Sequence, residues 1–151
     1  MYKRQAKLAA EVRKAPALGY SHAEATVDFA AVMERVQRVS KQIEPHDSVE
    51  RYTDPGVAVI TGEARITSPW HVEVNGRSIS TRNIIIAAGA RPLVPDLPGL
   101  DSVPMVTSDT VWNLRGQPRR LLVLGGGPLG CELALAFQQL GSQAVSYTHL
   151  T

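Results

Sequence analysis

Residues 120–130 read Arg-Leu-Leu-Val-Leu-Gly-Gly-Gly-Pro-Leu-Gly, and this stretch decides the fold. The apolar run 120–124 predicts a buried strand, and the apolar spacing in 131–140 predicts a helix directly after the glycines. The pattern Gly-x-Gly-x-x-Gly in 125–130 therefore stands between a strand and a helix. In that setting the pattern predicts a site for a dinucleotide.

Each glycine of the motif has a separate physical task. Gly125 permits the tight turn, Gly127 lets a pyrophosphate approach the backbone, and Gly130 lets the helix pack closely on the strand. The pyrophosphate would lie on the free N–H groups at the start of the helix. The predicted nucleotide-binding residues are Gly125, Gly126, Gly127, Pro128, Leu129 and Gly130.

The strand after this helix should carry the residue that selects between NAD and NADP. Gly141 is predicted to end the helix, and residues 142–147 are predicted to begin the next strand. An acid is expected roughly 20 residues after the first glycine of the motif. The chain reads Val-Ser-Tyr-Thr at 145–148, without an acid, so the sequence leaves the choice of nicotinamide cofactor open.

The first third of the chain has a helical period. Residues 3–14 predict a short helix, and a second begins near Val27, because apolar residues recur at helical spacing up to Ile43. After Pro45, a further turn or two is predicted over 48–52. We interpret the charged residues of this region as solvated helix faces.

From Gly56 onward the period changes to that of strands. Short β-rich segments are predicted at 57–61, 63–67, 71–75 and 77–80, and Asn75-Gly76 predicts a tight hairpin turn. The apolar run 83–89 predicts a strand buried on both faces, as in a parallel sheet.

A proline-rich connector separates the two halves of the chain. Four prolines lie in residues 90–104, which predicts an extended segment and a domain boundary near residue 105. Beyond it, Thr107-Ser108-Asp109 is predicted to cap a short helix that runs to Leu114.

Composition excludes several classes of protein. The chain has 151 residues, 44% hydrophobic and 20% charged, with a formal net charge of +2. It is too apolar for a disordered protein and too weakly basic for nucleic acid to be its main partner. No apolar run approaches the roughly 20 residues of a membrane span. The single cysteine, Cys131, excludes an internal disulfide and favours a reducing cytoplasm.

The cysteine, the tryptophans and the histidines are predicted to have structural roles and no catalytic or ligand-binding ones. We predict that Cys131 is a small core residue, that Trp70 and Trp112 are packing residues, and that the histidines are surface residues without a metal site. The histidines are His22, His46, His71 and His149. No catalytic and no metal-binding residue is therefore predicted within the chain.

Three motifs in register resemble one family. Gly62-Glu63-Ala64, the strand end 84–89 with Ala90-Arg91-Pro92, and the segment Leu121–Glu132 occur in an order similar to that of the class I pyridine nucleotide–disulfide oxidoreductases. The resemblance is closest to mercuric reductase-like and dihydrolipoyl dehydrogenase-like flavoproteins. It implies an α/β fold, with part of a Rossmann-like FAD-binding domain and its β-meander over 1–104, and the start of an inserted NAD(P)-binding Rossmann domain over 105–151.

The resemblance also implies roles for individual residues. Ala64 would contact the FAD adenine through its backbone. Ala88 and Gly89 would lie against FAD, with Ala88 where the family usually has Thr, and Ala90 and Arg91 follow at this site. Glu132 matches a glutamate that in the family lies near the flavin and pairs with a lysine.

The implied enzyme transfers a hydride from NAD(P)H to FAD and electrons onward to a cysteine pair outside this chain. The resemblance also implies that the complete enzyme is a cytoplasmic homodimer that binds small-molecule cofactors. Residues 1–5 and 146–151 depart from the family pattern, so we expect an internal fragment with adventitious ends, inactive and poorly soluble alone. Two alternatives stay open: a ferredoxin reductase or NADH oxidase type of flavoprotein on the same fold, and a stand-alone dinucleotide-binding module.

Overall fold

The computed structural model describes residues 2–148 and divides into two compact units. The first unit contains the residues up to Gln42 and those from Asp96 onward; the second unit is Ile43–Pro95. Within 2–148, every helix is too short or too polar to cross a membrane. The domain boundary near residue 105 stays a prediction.

Two helices from the start of the chain build the core of the first unit. Helix α1 spans Tyr2–Lys14 and helix α2 spans Phe29–Ile43, in agreement with the predicted helices. The carboxylate of Asp28 accepts a hydrogen bond from the backbone N–H of Ala31 at 3.0 Å, which fixes the start of α2. The apolar stripe of α2 is buried, and Met33 is only 1% exposed.

The same unit contains a parallel strand–helix–strand arrangement. Strand β4 is Arg120–Leu124, helix α4 is Pro128–Leu140, and strand β5 is Gln143–Tyr147, as the sequence predicts. The two strands pair in parallel, with Leu122 opposite Val145. The expectation that β4 is a buried strand is wrong for one of its faces, because Leu122 is 63% exposed, whereas Leu121 and Val123 are half-buried. Helix α4 packs on these strands, and no other described strand extends their sheet.

The segment before β4 contains only short helical turns. A 3-10 turn at Leu100–Ser102 interrupts the extended connector, and another lies at Val111–Asn113 in place of the predicted short helix. Thr107 does cap this turn, as predicted: its Oγ1 accepts a hydrogen bond from the backbone N–H of Asp109 at 3.3 Å, and its carbonyl accepts one from the backbone N–H of Val111 at 2.9 Å. Trp112 packs against Tyr2, with ring centroids 5.1 Å apart, as expected for a packing residue.

The second unit consists of a short helix and a β-meander. Helix α3 spans Val49–Thr53, and the antiparallel strands are β1 (Ala64–Ser68), β2 (His71–Val74) and β3 (Arg77–Ser80). The turn between β2 and β3 has positive φ at both Asn75 (51°) and Gly76 (72°), which confirms the predicted Asn-Gly hairpin.

Two predicted strands of the second unit are not formed. Residues 57–61 and 83–89 are irregular, and the apolar run is exposed, with Ile85 at 91% and Ile86 at 74%. A strand of a parallel sheet needs hydrogen-bonding neighbours at its edges. The described strands of this unit pair only within the β1-β2-β3 meander, so neither segment has such a neighbour.

Candidate functional site

The glycine loop begins with a residue whose backbone only glycine adopts readily. Gly125 follows β4 directly and has a φ of +108°. Its N–H donates to the carbonyl of Tyr147 at 2.9 Å, so the loop leaves the sheet while still paired with the end of β5. The chain turns sharply here, from β4 towards the start of α4.

Gly130 brings helix and strand into close contact. A Cβ atom at this position would lie 2.6 Å from the carbonyl oxygen of Gly125 and 3.3 Å from Cγ1 of Val123. A backbone oxygen cannot move aside as a flexible side chain can. The absence of a side chain at Gly130 therefore allows α4 to lie against the loop and β4, as predicted for the third glycine of the motif.

The start of α4 has the features of an anion-binding position. Gly127 caps the helix with extended backbone, no side chain caps this end, and a Cβ at Gly127 would meet nothing within 4 Å. Pro128 occupies the first turn, where a missing N–H costs nothing. The N–H groups of a helical first turn have no partners within the helix. An approaching pyrophosphate would therefore meet backbone donors and open space, so the residues present fit this group.

Cys131 lies beside the loop and outside the core. Its side chain is exposed, and its Sγ donates to the Gly126 carbonyl at 3.4 Å. The expectation of a small core residue is wrong, because α4 directs Ala136, Phe137 and Leu140 into the core instead.

Glu132 is held by two residues of helix α1. Its carboxylate accepts a hydrogen bond from the Tyr2 hydroxyl and pairs with Lys3 Nζ at 2.5 Å. The Lys3 ammonium, followed by the Tyr2 hydroxyl, lowers the pKa of Glu132. Burial, reinforced by the nearby Glu132 carboxylate, raises the pKa of Tyr2. At neutral pH the cluster therefore contains an ionised Glu132 and a neutral Tyr2.

Tyr2 and Lys3 are site residues that sequence reasoning missed. They lie about 130 residues from Glu132 along the chain. No periodicity or local motif reports such a contact, because only the packing of α1 on α4 creates it.

The predicted FAD contacts all lie in the second unit. Ala64 begins β1, and residues 88–91 form neither helix nor strand; all five residues are exposed. Gly89 has a φ of +69° and open space where a Cβ would lie. Small side chains leave the backbone accessible at these positions, so they fit one open side of a flavin-nucleotide site.

Among residues 2–148, the other reactive side chains form no further site. His22, His46 and His71 are exposed, as predicted, and His149 lies outside the described residues. Trp70 is 57% exposed at the turn between β1 and β2, so its predicted packing role is wrong. In the described part of the chain, no three His, Cys, Asp or Glu residues are grouped so that they could hold a metal ion.

Comparison with known families and proteins gives one consistent result. Residues 5–150 match the family model described as pyridine nucleotide-disulphide oxidoreductase. Mercuric reductase from Bacillus cereus is 34% identical over 128 residues, which are 85% of this chain and 20% of that enzyme. Dihydrolipoyl dehydrogenase from Acholeplasma laidlawii is 32% identical over 145 residues, which are 93% of this chain and 43% of that enzyme.

A solved structure agrees with the sequence comparisons. The Cu(II) complex of the HOCl-induced flavoprotein disulfide reductase RclA from Escherichia coli superposes with a TM-score of 0.63 at 30% identity. It covers 80% of this chain and 28% of that protein. The chain thus spans less than half the length of each of these relatives. Their names support the disulfide-oxidoreductase class over the ferredoxin reductase or NADH oxidase alternative.

Proposed function

The chain belongs to the pyridine nucleotide-disulphide oxidoreductase family, and we propose that it forms the part of an FAD-dependent NAD(P)H oxidoreductase that contributes the nicotinamide-dinucleotide loop and one side of the FAD site. Such an enzyme is an oxidoreductase that uses flavin and nicotinamide nucleotides.

The observation that carries the proposal is the geometry of residues 125–130. Gly125 supplies the positive φ, Gly130 the close approach of α4, and Gly127 the open backbone. Each feature has the form that a bound pyrophosphate requires, and all three occur together on a strand–loop–helix unit.

The proposed FAD-binding role rests on the likeness to the family and on the exposed backbone of the residues concerned. Ala64, Ala88, Gly89, Ala90 and Arg91 are proposed to face the cofactor, with the small residues presenting backbone atoms and Arg91 its charge. The role of Glu132 beside the flavin stays a prediction, whereas its ionisation is supported by its pairing with Lys3.

When bound, NAD(P)H would supply a hydride, which is two electrons and one proton, and FAD would be the carrier of those two electrons towards a cysteine pair. The chain holds only Cys131, so that pair must come from other residues of the enzyme. The chain's own residues bind the pyrophosphate on the α4 backbone and keep a carboxylate charged one turn further along the helix. We propose that the chain alone turns over nothing, and that the complete enzyme is a cytoplasmic homodimer.

The binding part of the proposal can be tested on the chain itself. Uniformly 15N-labelled protein is titrated with NADH and with NADPH, and backbone amide shifts are followed. We expect the shifts to concentrate at residues 125–132. Absence of any change there at millimolar cofactor would contradict the proposal. Saturation by a near-stoichiometric amount of NADH or NADPH, with no FAD present, would instead favour a stand-alone nucleotide-binding module.

Gly127→Ala supplies the matched variant. The new Cβ meets no atom of the chain, so the fold should persist, but it enters the space assigned to the pyrophosphate. We expect about tenfold weaker nucleotide binding, equivalent to roughly 1.4 kcal/mol. Gly116→Ala, where a Cβ also meets nothing, is the control and should leave binding unchanged.

A further inference from the structure

A contact within the second unit connects the β2–β3 turn to the segment that precedes β1. The side-chain amide of Asn75 donates from Nδ2 to the carbonyl oxygen of Thr61 at 2.9 Å. Asn75 is the first residue of the hairpin turn, whereas Thr61 lies three residues before β1 begins at Ala64. The bond therefore fixes an irregular segment that the β-ladder does not reach.

Gly62 makes room for this contact. A Cβ at Gly62 would collide with the Asn75 side chain, and its overlap with Oδ1 would be the most severe. Gly62 does not have the positive φ that would require glycine on backbone grounds. A side chain at position 62 would therefore displace the amide of Asn75.

We propose that Asn75 is a positioning residue for FAD: its amide holds Thr61 and Gly62 so that the Gly62–Ala64 backbone is presented to the cofactor. The inference rests on the proposed function, since it assigns a use to the exposed backbone at Ala64. Asn75 itself does not contact the cofactor. It acts through the segment that it holds.

Two substitutions distinguish the hydrogen bond from Asn75 to Thr61 from the role of Asn75 in the hairpin turn. Both Gly and Asp tolerate the positive φ of the turn, so Asn75→Gly and Asn75→Asp should keep the hairpin. Neither variant can donate a side-chain hydrogen bond to Thr61. Asn83→Asp is the matched control, because Asn83 is exposed and its hydrogen bonds with Thr81 involve its backbone.

The holoenzyme test uses mercuric reductase from Bacillus cereus, with its matching segment replaced by the residues of this chain. FAD affinity of the apo-chimera is measured by flavin fluorescence. Loss of one hydrogen bond that orders the segment should weaken FAD binding about three- to tenfold in both Asn75 variants, and not in Asn83→Asp. Equal affinity in all variants would overturn the inference alone. Failure of the chimera with Asn75 intact to bind FAD would overturn the proposed function, and with it this inference.

A second measurement on the chain itself keeps the test independent of the chimera. Heteronuclear 15N–{1H} relaxation of Gly62 and Glu63 should show greater motion in both Asn75 variants, while amide exchange in the β2–β3 ladder stays unchanged. Gly62→Ala should have the same effect, because the new methyl group displaces the amide of Asn75. Unaltered motion at Gly62 and Glu63 would refute the positioning role even if the chimera could not be made.

Discussion

Gly130 and Gly125 are in contact across the turn between β4 and α4, at a distance that excludes any side chain on Gly130. A Cβ there would lie 2.6 Å from the Gly125 carbonyl oxygen. The nucleotide loop is therefore shaped by backbone packing within the chain, before any ligand is considered. This separates the structural glycine of the motif from Gly127, which faces open space.

Gly130→Ala should destabilise the first unit. The methyl group must push α4 away from β4, and overpacking of this kind costs about 1–3 kcal/mol of the free energy of unfolding. Chemical denaturation followed by circular dichroism measures the loss. Gly116→Ala, where a new Cβ meets no atom within 4 Å, is the control, and it should stay within about 0.5 kcal/mol of the wild-type chain. Equal stability of the two variants would show that α4 does not pack as described.

Glu132→Gln should remove a contribution to the folding stability that the wild-type chain loses at acidic pH. The pKa of Glu132 is lower in the folded chain than its ordinary value of 4.5, chiefly because of Lys3. The unfolded chain therefore takes up its proton first as the pH falls, and the contribution of Glu132 is lost as the pH falls through its folded pKa. Thermal midpoints of the wild type and the variant should differ at pH 7 and converge only when the pH lies below the lowered pKa of Glu132. Glu34→Gln, at an exposed position of α2, is the control and should have the thermal midpoint of the wild type at pH 7.

Tyr2→Phe should alter stability at the alkaline end. Burial and the Glu132 carboxylate raise the pKa of Tyr2 above its ordinary value of 10.0, so the folded chain resists loss of the phenolic proton. The contribution of Tyr2 to the free energy of unfolding is therefore complete below pH 10 and declines at higher pH. The reason is that the Tyr2 phenol loses its proton at a lower pH in the unfolded chain than in the folded chain. The phenylalanine variant should lack that decline while keeping its packing on Trp112. Tyr20→Phe, at an exposed tyrosine, is the control; an identical alkaline profile for wild type and Tyr2→Phe would contradict the burial of the hydroxyl.

Replacement of Ile85 and Ile86 by lysine should reduce self-association without unfolding the chain. Both side chains are exposed in the structure, and exposed apolar patches promote aggregation. Sedimentation velocity should show less oligomer, and the thermal midpoint should be unchanged. Met33→Lys, at a position that is 1% exposed, should by contrast abolish cooperative unfolding. Unfolding of the double lysine variant would mean that residues 83–89 are buried, as the sequence predicts.

Local patterns determined much of the fold correctly. The apolar run 120–124, the glycines after it and the helical period of 131–140 specify β4, the loop and α4 from neighbouring residues alone. The Asn75-Gly76 turn is equally local, because its positive φ values are intrinsic to those residue types. The family resemblance drawn from the same motifs is confirmed by the match over residues 5–150.

The tertiary structure decided what those patterns could not. Residues 83–89 have the composition of a buried strand, yet a strand exists only where another strand pairs with it, and composition does not supply the partner. The pairing of Glu132 with Tyr2 and Lys3 depends on α1 packing against α4. The bond from Asn75 to Thr61 depends on the register of β1 on β2. The sequence by itself thus determined the elements and the glycine loop, whose causes lie within a few residues of each other, while contacts between distant segments followed only from the folded chain.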